Sequence, residues 1–232
     1  MLKKRRTLLY VLSGFVVLAV GAFAFAYFVL FPTDSPDKFT LSDTAATPAA
    51  TATATASAAA GTTTWAIADG SEAGYRVREK LAFLPAKNDA VGRTSAITGE
   101  AESTGDGDAL KITKASFKIE VSTLTSDQDR RDQRIRSIGI ESDRFPTATF
   151  VLAEPIALTK KEVDATGDLT LHGVKQRVTI PLQVRRSGST LEAVGSLSFP
   201  WGDFGMTAPS VAGFVSVEDT ATLEFDLKLA QG

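Results

Sequence analysis

The 232 residues contain one imidazole, that of His172, and its surroundings decide whether the chain does acid–base chemistry. Beside Asp168 it can serve as a general base, and Arg131 or Arg134 can stabilise developing negative charge, which together would make an enzyme. His172 also precedes Gly173 at the end of a strand pattern, where a ring hydrogen-bonded to backbone in a turn is the ordinary outcome. No Gly-x-Ser-x-Gly elbow, metal-ligand cluster or phosphate-cradling glycine loop accompanies it. Gly202-Asp203-Phe204-Gly205 holds the Asp-Phe-Gly string of kinases without any other part of a kinase. With no cysteine, neither a disulfide framework nor a zinc site of the usual Cys/His kind can be assembled, and no cofactor is implied.

The second chemical candidate is the arginine group Arg130, Arg131, Arg134 and Arg136. At a barrel mouth these can hydrogen-bond a phosphate, carboxylate or quinone oxygen of a ligand; on a solvated helix face they would be laced by their own aspartates. Residues 126–137 read as a short polar helix. Ser126 with Asp129 makes a capping-box-like start, Asp127/Arg131 and Asp132/Arg136 are i,i+4 pairs, and Phe145-Pro146 closes the excursion.

The elements that must position these groups have a period of two. Phe117, Ile119 and Val121 alternate with polar residues, as do Val178, Ile180, Leu182 and Val184, and Leu223, Phe225, Leu227 and Leu229. Further strands are expected at 73–81, 95–103, 148–157, 163–171 and 190–199, giving eight with short loops. One apolar face on every strand requires the sheet to close on itself, which also removes exposed edges. An eight-stranded antiparallel barrel is just wide enough to be filled by side chains, as a ligand-free cell-surface stress or interaction module would be, or to hold one small ligand. Phe117, Ile119, Val121, Leu169, Leu171, Ile180 and Leu182 face inward in either case. A lumen that takes up ten methylene equivalents of a lipid gains about 8 kcal/mol, micromolar affinity before ordering costs.

Ahead of the barrel, Leu8 to Phe31 is free of charge. As a helix its 24 residues would run about 36 Å against a hydrocarbon core of roughly 30 Å. Lys3 to Arg6 on one flank place the amino terminus in the cytoplasm and the barrel outside the cell membrane. A cleaved signal peptide is the competing reading, since Ala22-Phe23-Ala24 resembles a cleavage site, but the apolar run is longer than a signal core of about 7 to 15 residues. The domain plan is therefore a basic cytoplasmic tail at 1–7, a single transmembrane helix at 8–31, a disordered Thr/Ala/Pro-rich linker at 32–64 and a β-barrel at 65–232. Of the formal charge of −2, Lys3, Lys4, Arg5 and Arg6 contribute +4, so the remainder carries −6. Such a domain does not attract phosphate backbones, which argues against a nucleic-acid partner.

Residues 65–232 resemble the YceI-like family of lipocalin-like polyisoprenoid-binding proteins. The likeness rests on the opening Trp65 strand, Arg131-Asp132-Gln133-Arg134-Ile135-Arg136-Ser137, Phe145-Pro146-Thr147-Ala148-Thr149-Phe150, Gly167-Asp168-Leu169-Thr170-Leu171-His172-Gly173-Val174 and Gly202-Asp203-Phe204-Gly205-Met206. Gly70-Ser71 stands where the family usually has His-Ser. The resemblance implies an isoprenoid or other long-chain amphiphile in the lumen, no catalysis, and a ligand-facing set that extends to Phe150, Phe204 and His172 beside Arg131 and Arg134. The oligomeric state is left open, a homodimer included.

Overall fold

The computed structural model describes residues 35–42, 61–81, 84–211 and 215–232. The expected membrane segment at 8–31 and most of the linker lie outside the described residues. Among those described, no helix is long and apolar enough to cross a membrane.

Alternation of apolar and polar residues produces long antiparallel strands: β1 (Thr62–Ile67), β2 (Glu72–Leu81), β3 (Leu84–Thr94), β4 (Ile97–Thr104), β5 (Lys111–Glu120), β6 (Thr147–Leu152), β7 (Glu162–Leu171), β8 (Val174–Ser187), β9 (Thr190–Pro200) and β10 (Thr220–Gln231). Neighbours pair in the order β1-β4-β5-β6-β7-β8-β9-β10, and β10 returns to β1 through Ile67↔Leu229 and Trp65↔Gln231, so eight strands close the ring. Beyond β1, β2 takes over the pairing with β10, from Asp226↔Glu72 to Thr222↔Arg76, and β3 lies outside it on the same ladder.

Two strands depart from the sequence expectation. β3 was not foreseen, because Leu84-Pro85-Ala86-Lys87-Asn88-Asp89 lacks alternation; the ladder to β2, from Leu81↔Leu84 to Ala73↔Thr94, is what holds it. The strand expected at 148–157 is broken. β6 ends at Leu152 and only Ile156–Ala157 resumes pairing, with β5, after Pro155, which has no N–H to donate.

The polar helix forms as α1 (Asp129–Ser137), but its start is not the expected Ser126/Asp129 box. Asp132 reaches back instead, accepting from the Ser126 hydroxyl (2.7 Å) and backbone N–H (3.0 Å). Of the two expected ion pairs Asp127–Arg131 is made, while the Asp132 carboxylate is turned to Ser126.

The buried apolar residues gather in three clusters: a large one at the α1 end of the barrel, a smaller one at the opposite end around Trp65, Ile112, Leu191 and Leu229, and a third around Ala73, Ile97 and Leu227. Trp65 is fully buried and its indole N–H donates to Ser103 Oγ at 2.8 Å. Ser71, in the Gly70-Ser71 position, is buried too and bonds the Ala68 and Lys228 carbonyls, so it holds the β1–β2 bend.

On the outer wall, β2, β3 and β10 carry a buried charge ladder. Arg76 grips Glu224 with two nitrogens (2.9 and 3.2 Å) and reaches Asp89 at 3.4 Å, and Arg93 meets Glu224 at 3.2 Å. Asp37–Ser42 lies against this wall. Phe39 sits under the Arg93 guanidinium, 3.9 Å from the ring centroid, and the Ser42 N–H and hydroxyl donate to Glu192 at 3.0 and 2.7 Å. This stretch of the expected linker is thus packed on the barrel.

Candidate ligand-binding site

A cavity of about 150 Å³ runs inside the barrel. Its lining extends along β10 from Ala221 to Leu229, eight residue steps or about 27 Å. That volume spread over that length is a thread rather than a chamber. At one end lie Val121, Leu124, Ile140, Trp201 and Met206; at the other Ile112, Ile156, Leu158 and Leu191. A void of this kind lined by aliphatic and aromatic side chains stays dry and favours a largely apolar occupant.

Four aromatic rings on the inner wall, Tyr75, Phe117, Phe150 and Phe225, each lie over an inward-facing glycine of a neighbouring strand. A side chain at Gly92 would come within 2.3 Å of the Tyr75 ring, at Gly99 within 2.8 Å of Phe117, at Gly167 within 2.4 Å of Phe150 and at Gly195 within 2.7 Å of Phe225. Glycine in a strand interior weakens the strand unless something must approach closely, and here the ring of the adjacent strand does. The rings therefore bed against the wall instead of meeting on the axis, which keeps the thread open.

Of the ligand-facing residues expected from sequence, Phe117, Ile119, Val121, Phe150, Leu169, Leu171, Ile180 and Leu182 all line this cavity. The other four do not. Phe204 is buried in the short 3-10 helix Trp201–Phe204, edge-on to Phe199 at 4.9 Å, and plugs the end behind Trp201. Arg131 turns to Glu79 (3.3 Å) and Asp127, and Arg134 is exposed on α1. The helix closes the α1 end through Ile135, packed on the core, and not through its arginines.

His172 and Gly173 are the two loop residues of the β7–β8 hairpin, with φ of +52° and +74°, as a type I′ turn requires. The His172 Nδ1–H donates to the Phe204 carbonyl (3.2 Å), the ring rests 4.2 Å from that of Phe145, and Nε2 lies 3.4 Å from Glu141 Oε1 out of hydrogen-bond alignment. The imidazole ties the turn to the end plug and is not among the cavity residues. Asp168, the acid an enzyme would need beside it, faces outward to Lys175 (3.1 Å) and Arg177 (2.7 Å). The Lys175 hydrogen bond, then the Arg177 charge, hold its carboxyl below the usual range. Among the described residues no base, acid and arginine converge on one pocket.

Sequence reasoning passed over Tyr75 and the glycine partners. The signal was present: Gly99, Gly167 and Gly195 interrupt strand patterns on the inward phase, a mark of close approach.

An eight-stranded antiparallel barrel with one short helix and an axial apolar lumen defines the lipocalin-like class. The YceI-like domain model matches residues 65–229, and the chain belongs to the YceI-like family. A UPF0312 protein of Vibrio parahaemolyticus is 31% identical over 115 residues, 49% of this chain and 53% of the relative. One from Pseudomonas putida is 31% identical over 100 residues, 43% and 47% of the two chains. The chain spans about half the length of the curated relatives it matches. Among solved structures, a polyisoprenoid-binding domain from Saccharophagus degradans superposes with a TM-score of 0.52 at 17% identity, over 73% of this chain and 98% of that one. Burkholderia cenocepacia BcnA does so at 0.50 and 20%, over 67% and 95%. At these identities the likeness is one of fold.

Proposed function

We propose that this protein is an extracytoplasmic, membrane-tethered binding protein that holds an isoprenoid or similar long-chain amphiphilic lipid in its barrel. The observation that carries the reading is the lumen, a thin apolar thread nearly as long as the hydrocarbon core of a bilayer is thick, about 30 Å, with rings bedded on glycines so that the axis stays free. Its described lining offers no carboxylate, imidazole or amine, which supports carriage over catalysis. The fold likeness to a polyisoprenoid-binding domain supports the ligand class. The charge-free run at 8–31 with its basic flank supports the tether and the outward barrel.

The deciding experiment is mass spectrometry of the organic extract of the full chain purified from membranes. Near-stoichiometric prenyl or other long-chain lipid is expected; an extract with none, and no uptake on exposure to such lipids, overturns the carrier. Protease added to intact cells should cut within 43–60 and free the barrel from a membrane-held stub. A mature chain beginning near Ala26 and free in the medium overturns the anchor.

A further inference from the structure

Three residues of the apolar lining carry a hydrogen-bonding side-chain group: the Trp201 indole donates to the Glu218 carbonyl and the Thr222 hydroxyl bonds that of Ser198, whereas the hydroxyl of Tyr75 on β2 is buried without a partner. The residue is only 8% exposed. An orphaned hydroxyl is destabilising, and native structures keep few of them without cause. Gly92, facing it on β3, leaves the space in which the ring and hydroxyl sit; a Cβ there would lie 2.9 Å from the hydroxyl oxygen. Resting on the lipid-carrier reading, we propose that Tyr75 reads the polar end of the ligand, donating its hydroxyl to an uncharged oxygen such as that of an alcohol, carbonyl or quinone. The class of ligand is then a neutral oxygen-bearing lipid with its head at the α1 end, as opposed to a bare hydrocarbon or a phosphorylated chain.

The charges around that hydroxyl set the sign. Burial pushes the phenol far above its ordinary range and keeps it a proton donor; Arg131 opposes this, while Asp132, Glu79 and Asp127 add to it. One guanidinium among three carboxylates, and already bonded to two of them, leaves a negative field at the head position. An anionic head would meet that field in a dry site with no cation in the lining to pair it. A neutral acceptor meets neither cost. The hydroxyl gains its partner when a ligand head arrives beside it.

The test loads the delipidated full chain, in detergent, with an equimolar mixture of geranylgeraniol, the hydrocarbon lacking its hydroxyl, and geranylgeranyl phosphate, and counts each bound species by native mass spectrometry. The wild type should retain the alcohol over the hydrocarbon by roughly three- to tenfold, and over the phosphate by at least as much. In Tyr75→Phe the alcohol-to-hydrocarbon ratio should fall to about one, while the midpoint of the empty protein holds or rises because the orphan is gone. An unchanged ratio in Tyr75→Phe, or preference for the phosphate, overturns the assignment and leaves the carrier standing. A lower empty-state midpoint with equal loss of all three ligands shows a structural hydroxyl and also overturns it. If the wild type takes up none of the three, the carrier reading fails and the assignment with it.

Discussion

The two faces of β10 show how this barrel divides its labour. Inward, Ala221, Leu223, Phe225, Leu227 and Leu229 line a space that is only partly filled. Outward, Glu224 and Asp226 are buried, with Glu224 held by Arg76 and Arg93 near Phe39 of the packed linker segment. The usual arrangement is a close-packed apolar inside and a loosely held polar outside; in this sector each wall has taken the other's role. A lumen that empties and fills, as the proposed carrier requires, cannot supply tight packing along its whole axis, and cohesion then rests on the buried apolar clusters and on the ladder outside. Binding and stability should then separate by face.

The largest effect expected on stability comes from the outer wall. Arg76→Ala leaves the buried Glu224 with Arg93 alone and should lower unfolding free energy by about 3 kcal/mol, the low end for a broken buried pair because one partner remains. Denaturant unfolding of the empty protein measures it, and the lipid that binds should be of the same kind as before. Altered ligand selection with an unchanged midpoint would show that the two walls are not separable.

The inner wall gives the converse. Ala115 lines the lumen on the Phe117 face, and Ala115→Phe should block the thread and abolish lipid retention while the empty barrel unfolds at its former midpoint. In a filled core the same change would overpack and destabilise by roughly 1–3 kcal/mol. Lipid content by extraction, paired with the midpoint of the delipidated protein, decides between these. A fallen midpoint in a protein that never held lipid counts against the open lumen.

This division explains what could be read in advance. Inward positions such as Phe117, Leu169 and Ile180 follow from alternation alone, because a strand has only two faces, and all reached the cavity. That the cavity is open could not be derived so, since a filled core has the same pattern; it depends on where cross-strand glycines fall, which is a matter of register. Where the α1 arginines turn could not be read locally, because Arg131 is claimed by Glu79, 52 residues earlier in the chain. β3 and the docked Phe39 were hidden for a similar reason: ladder pairing and a cation–π contact, not apolar periodicity, hold them.

A smaller effect tests how far the outer wall tolerates burial of charge. Asp226 has one carboxyl oxygen buried without a partner, and its pKa is raised, first by burial, against Lys228, and further by Glu192 and Glu72. A carboxyl that binds its proton more tightly folded than unfolded makes the protein less stable as pH rises through the interval between the two values. Asp226→Asn should therefore raise the midpoint at pH 7, with the gain shrinking as pH falls and gone by about pH 4. Its partner Lys228, partly exposed and 3.4 Å away, contributes little. A gain that is independent of pH would assign the effect to something other than ionisation.

The smallest effect belongs to the residue that first looked chemical. Replacing His172 with Gln removes the contact with Phe145 and strains the turn, since φ of +52° suits Gly or Asn better than Gln. Gln keeps a donor for the Phe204 carbonyl, so the loss should be about 1 kcal/mol, and His172→Asn, better matched to the type I′ turn, should cost less despite its shorter reach. Lipid retention should be indistinguishable from wild type in both, because the imidazole lies outside the lumen behind the Phe204 plug. The order of the two variants is the informative part. If Asn is the milder change, His172 is held by its backbone; if Gln is milder, the side-chain bond to the plug dominates. Loss of a measured turnover on a lipid, with the midpoint unmoved in either variant, would reinstate the histidine as a catalyst and break the division between a binding inside and a stabilising outside.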